Sequence, residues 1–201
     1  MFRKITTNLF HCTLIVLPFQ TAAALSHELK LGLQSYFSED FTIAYEYLSL
    51  SAEANNGEAQ YLLGHMFENG EGLEVDHSRS FKWYLAAAKN GVAPAQYSVS
   101  LKYSFGIGTP RNIREGLFWL EAAARQGHEY AQFKLGLDLV EIGDTQKGLV
   151  WIRIASLANI NDALQVYAHL APAYTQNQHA AILATAKNCV ASSFNDCTPL
   201  N

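Results

Sequence analysis

The chain has 201 residues, 49% of them hydrophobic and 16% charged, with a formal net charge of −4. This composition argues against a disordered or fibrous chain, and the length is enough to bury a real core. The acidic balance, with no basic run anywhere, argues against nucleic acid and anionic lipid surfaces as partners.

Residues 1–24 predict a secretory leader. "MFRK" supplies positive charge, "LFHCTLIVLPF" a short apolar stretch, and Ala22 and Ala24 the small residues before a cut after Ala24. The stretch is shorter than the roughly 20 residues of a membrane span and carries His11 and Pro18, so no stable membrane insertion is expected after cleavage. Cys12 lacks a lipoprotein-type context. Loss of Arg3 and Lys4 leaves 12 basic residues against 18 acidic ones, a charge of −6. The expected location is the periplasm or the exterior.

Residues 25–201 read as one array of units, at 26–58, 59–94, 95–130 and 131–162, with a C-terminal cap at 163–201. The first unit carries Leu31-Gly32, a helix cap at Asp40, Tyr47, Ala52 and Asn55. In the second, Ala59, Leu63 and Phe67 form an apolar stripe at four-residue spacing, with Gly64 among them. Gly70 and Gly72 reverse the chain, Asp76 caps a second helix, and Trp83, Ala87 and Ala88 face its core before Gly91 ends it. The third unit repeats the pattern 36 residues on with Ala95, Gln96, Gly106, Gly108, Asn112, Trp119, Ala123 and Gly127, and departs at Ser100 and Thr109-Pro110.

In the fourth unit Ala131 and Gln132 keep the register. Its loop shortens to "VEIGD" before Asp144, so Trp151 follows Trp119 by 32 residues. Asn55, and Asn159 after Trp151, take the place of the helix-ending glycine. The cap opens at Ala163 and closes with the helical stretch "HAAILATAKNCVA". Cys189 and Cys197 are either one disulfide, which requires the helix to end between them, or two unpaired thiols on a loose tail.

The frame Ala59-x-x-x-Leu63-Gly64-x-x-Phe67, Gly70-x-Gly72-Leu73-x-x-Asp76, Trp83-Tyr84-x-x-Ala87-Ala88-x-x-Gly91 resembles the Sel1-like repeat, a relative of the tetratricopeptide repeat. The resemblance covers about Ser26 to Ala163. It implies an all-α, right-handed solenoid of about five helix pairs whose role is to hold other proteins together.

Some exported, cysteine-rich members of that family are linked to β-lactamase activity, so a hydrolase acting on β-lactams or cell-wall material is the enzymatic alternative. The central repeats here contain no cysteine. The residues three before the lysines that follow the leader are His27, Arg79, Ala86, Val99, Ala131, Asp144 and Ala184, so no Ser-x-x-Lys pair exists, nor any Gly-x-Ser-x-Gly elbow. The histidines after the leader, His27, His65, His77, His128, His169 and His179, form no His-x-x-x-His pair. His65 and Glu68 share a helix face without a third ligand, so neither metal nor cofactor is expected. Turn chemistry accounts for the glycines of "NGEGLEVD", which lack a following Lys-Ser or Lys-Thr.

The three tryptophans suit core packing among alanines better than a sugar-stacking ladder, which would make the chain a glycan or peptidoglycan binding module. The reading that remains is a non-catalytic scaffold or regulator in the bacterial cell envelope, binding another protein or peptide. Unit-specific residues at two repeat positions, Leu62, Ser98 and Lys134 at one and Met66, Lys102 and Asp138 at the other, lie on one side of each first helix and are the expected contact surface on the concave face.

Overall fold

The computed structural model describes residues 22–194 except residue 159, together with residue 197. The leader read at 1–24 lies outside the described residues apart from Ala22 to Ala24, and so does Asn159. Ten α-helices are described: α1 (Ala22–Phe37) and α2 (Phe41–Glu53), α3 (Gly57–Asn69) and α4 (His77–Lys89), α5 (Ala93–Phe105) and α6 (Ile113–Arg125), α7 (Glu129–Glu141) and α8 (Thr145–Leu157), then α9 (Asn161–Leu170) and α10 (Gln176–Ala191). The first four pairs pack within themselves and each on the next. The last pair differs: a 3₁₀ turn at Ala171–Ala173 separates its helices, and α10 packs mainly on α8.

Local chemistry sets these boundaries. The side chains of Asp40, Asp76, Asn112 and Asp144 accept the N–H of Ile43, Arg79, Glu115 and Lys147, so each second helix starts where a cap was expected. Past the second helices, Gly91 and Gly127 have φ of 83° and 85°, and Asn55 takes the same left-handed place at 67°. The recurring glutamines also receive a role. The side-chain amides of Gln60, Gln96 and Gln132 donate to the carbonyls of Ala52, Ala88 and Ala124, capping the end of the preceding second helix. Gln60 and Gln96 in turn accept from Asn90 and Gln126 at the end of their own unit's second helix, giving an amide ladder along the stack.

The core is a chain of clusters rather than one sphere. Ala59, Ala87, Ala95, Ala123 and Ala131 are all fully buried, which lets helices approach closely. In each unit the residue after the tryptophan lies deeper than the tryptophan: Tyr84, Leu120 and Ile152 are buried at 1%, 3% and 0% exposure, and Leu48 fills the same role in the first unit. Opposite three of these stand Gly32, Gly64 and Gly136, where a Cβ would lie 2.8, 2.6 and 2.6 Å from Leu48, Tyr84 and Ile152. In the third unit Ser100 holds the glycine's place, and a glycine stands on the facing helix, where a Cβ on Gly116 would lie 3.1 Å from the Ser100 carbonyl oxygen. Trp151 is buried as expected, whereas Trp83 and Trp119 are only half-buried, each lying against the edge of a cluster. Full core burial is thus corrected for those two.

The tail folds back on the stack. Ser193 and Phe194, with φ of 51° and 66°, end α10, and Cys197 is disulfide-bonded to Cys189 with the two Cα atoms 4.4 Å apart. The ring of Phe194 lies 3.1 Å from where a Cβ on Gly127 would stand.

Candidate partner-binding face

The six unit-specific positions fall into different environments. Leu62 and Met66 belong to the first core cluster with Ala44, Leu48 and Leu63, and Met66 is fully buried. Neither can meet a partner, so both are withdrawn from the expected contact surface. Their variation between units reflects different ways of filling the seam between neighbouring units, not exposure.

Lys102 is also buried, at 2% exposure. Its ammonium lies 2.8 Å from Glu68 Oε1 and 5.4 Å from the centre of the Tyr84 ring, and the Tyr84 hydroxyl donates to Glu68 Oε2 at 2.8 Å. Burial raises the Glu68 pKa, but hydrogen bonds from Lys102 and Tyr84 and the charge of Lys102 outweigh it and hold the carboxyl below its usual range. Burial, with Glu68 beside it, drives the Tyr84 hydroxyl upward. Lys102 therefore clamps the second unit to the third and is not a free surface cation.

His65 does not pair with Glu68. It lies 3.1 Å from Glu71 and 2.8 Å from the Tyr36 hydroxyl, which also donates to Glu71. These bonds tie α1 to the second unit. Among the described residues no group of three or more His, Cys, Asp or Glu side chains could hold a metal ion.

Ser98 is half-buried, and Lys134 and Asp138 form an ion pair of 2.6 Å with side chains 33% and 23% exposed. Lys134 and Asp138 open onto a groove of about 360 Å³ between the third and fourth units. Phe105, Ile113, Leu117 and Ile142 line it at 66%, 45%, 39% and 74% exposure. Ser104, Arg111 and Glu141 complete its rim. At the preceding junction Phe81, which matches Leu117, is buried against Tyr103. The only sequence signal for this groove is the shortened "VEIGD" loop. A second cleft, of about 690 Å³, separates α9 from α10 and is walled mainly by Tyr167, Pro172, Tyr174 and Leu183.

Stacked antiparallel helix pairs with glycine-bounded loops define an α-solenoid of short repeats. The chain belongs to the Sel1 repeat family, whose model matches residues 19–56, 57–92 and 93–128, more than half of its length. A protective antigen present in uropathogenic Escherichia coli strains, displaying an SLR fold, is similar over 82% of this chain at 26% identity and a TM-score of 0.69. A Sel1 repeat protein from Oxalobacter formigenes is similar over 70% at 30% identity and a TM-score of 0.65. This chain covers 38% and 57% of those two proteins. No curated protein matches it. The fold is one typical of protein–protein interaction scaffolds, and no described helix is long and apolar enough to cross a membrane.

Proposed function

We propose that this chain is a non-catalytic scaffold or regulator that binds another protein or peptide in the bacterial cell envelope. The observation that carries the reading is the groove between the third and fourth units, where four large apolar side chains stay exposed together beside a unit-specific ion pair. Contiguous exposed apolar surface of that kind marks an interaction site more often than scattered single residues do. Of the six positions read from the sequence, Ser98, Lys134 and Asp138 remain as contact residues. The bond between Cys189 and Cys197 is compatible with an oxidising compartment and supports export by the leader.

The test is an affinity pull-down from envelope extract, comparing the native chain with Lys134→Glu and Ile142→Asp. The expected outcome is a partner retained by the native chain and lost by both variants; retention by all three overturns the assignment of this face. Hydrolysis of nitrocefin or peptidoglycan above background by the purified chain would overturn the non-catalytic reading.

A further inference from the structure

The groove has a physical origin in the repeat itself. At the first two junctions the loop of one unit lies on the start of the previous unit's second helix. Gly72, φ 70°, is so close to α2 that a Cβ would stand 2.6 Å from the Cβ of Phe41. Gly108, φ 71°, is closer still, and a Cβ there would run into the His77 carbonyl at the start of α4. Each loop is also tied down by its last residue, the N–H of Asp76 donating to Phe67 at 2.9 Å and that of Asn112 to Tyr103 at 2.8 Å. Only a glycine in the left-handed region fits such a place.

At the third junction the loop is four residues shorter. A Cβ on Gly143 would meet nothing within 4 Å. The start of α6 at Ile113 is left without the cover that Phe41 and His77 receive, and the equivalent carbonyl, that of Leu139, accepts no bond of this kind among the described residues. The groove is the space the missing loop segment would fill.

We propose that this space receives an extended segment of a protein partner in which a glycine is flanked by aliphatic residues and followed by a cation. The glycine would lie against the start of α6, as Gly72 and Gly108 lie against α2 and α4. The aliphatic side chains would cover Phe105, Leu117 and Ile142. The cation answers Glu141, which is exposed and has no ion-pair partner among the described residues, whereas Asp138 is already paired with Lys134. The chain's own loop, Gly-Ile-Gly-Thr-Pro-Arg at 106–111, carries the glycine at Gly108, an aliphatic neighbour at Ile107, the methyl-bearing Thr109 on the other side and the cation at Arg111. The inference rests on the scaffold reading and adds the chemistry of the occupant.

The experiment titrates the full chain into a fluorescent peptide of residues 105–112, Phe-Gly-Ile-Gly-Thr-Pro-Arg-Asn, and follows anisotropy. Saturable binding is expected, weakened at least tenfold by Leu117→Asp or Ile142→Asp in the chain and by Gly→Val in the peptide at the position of Gly108. A loop-restored chain, with 142–144 replaced by the seven residues 106–112, should also bind at least tenfold more weakly, with an unchanged circular dichroism spectrum. No saturable binding by the native chain overturns the proposal, as does equal binding by the loop-restored chain. A dimer in light scattering that the peptide does not displace would assign the groove to a second copy and overturn it as well. If a partner captured from envelope extract stays on the loop-restored chain, the scaffold reading stands and this groove falls. If neither chain retains a partner, the scaffold reading falls whatever the peptide does.

Discussion

The second-to-third and third-to-fourth junctions use the same repeat positions for opposite ends. At the former, Lys102 is buried and reaches across to Glu68 and the Tyr84 ring, while a long loop seals the edge. At the latter, Asp138 holds the position of Lys102, pairs within its own helix to Lys134, and faces an open groove. One junction spends its charge on holding two units together; the other leaves both charge and apolar surface available. A repeat array can thus separate a cohesive region from a contact region without changing the fold.

The largest expected effect tests whether the fourth unit relies on apolar burial instead of charge. Trp151→Ala, at a buried site, should destabilise by about 3–5 kcal/mol, against about 2 kcal/mol for the half-buried Trp119→Ala, measured by urea unfolding. Equal losses would mean that the two regions do not differ in this respect.

Next comes the charge clamp. Glu68→Ala leaves Lys102 buried without its partner and should cost about 3 kcal/mol, the lower end for such a cut because Glu68 keeps about a third of its surface in water. Asp138→Ala should cost less than about 1 kcal/mol. The same contrast predicts a pH effect. The Glu68 pKa is depressed in the folded chain, so its contribution is present above its ordinary value near 4.5 and is lost as pH falls through the folded value. Stability of the native chain should drop across that acid window more steeply than that of Glu68→Gln.

A smaller effect belongs to the amide ladder. Gln96→Ala frees the Ala88 carbonyl and the Gln126 amide and should cost about 1–2 kcal/mol by thermal melting.

The smallest lies at the start of the fourth unit, where Nδ1 of His128 accepts the N–H of Ala131 and its ring stacks on Tyr97. Burial lowers its pKa, so the neutral form is favoured on folding and stability is lost as pH falls below the ordinary 6.5. Protonation also removes the cap, worth about 1 kcal/mol. His128→Asn should keep the cap and flatten the profile near pH 6; an unchanged profile would assign that slope to another group.

The helix pairs, their caps and their glycine endings were legible in the sequence because each depends on one residue type at one backbone angle, as Asp76 and Gly91 do. The amide ladder was half legible: Gln60, Gln96 and Gln132 recur, but the carbonyls they cap belong to the preceding unit and recurrence names no partner. Exposure was the weakest reading. Variation at Leu62, Met66 and Lys102 suggests surface, yet a seam between repeats can be filled by methionine or by an ion-paired lysine. The repeat frame places the tryptophans in the core, whereas the packing of the helix pair buries the neighbour Tyr84 and leaves Trp83 at the edge. The groove was written only as a deletion, and its meaning depends on what the longer loops cover.

The returning tail has a consequence for how this array comes apart. A stack in which each unit touches only its neighbours melts from its ends inward, one unit at a time. Here the segment past α10 is closed by the Cys189–Cys197 bond and brings Phe194 against Gly127, beyond the fourth unit and onto the third. The C-terminal end therefore has no loose last unit to shed. Fraying from that side must first lift the tail, which couples opening of the fourth unit and the cap to loss of the Phe194 contact on the third unit.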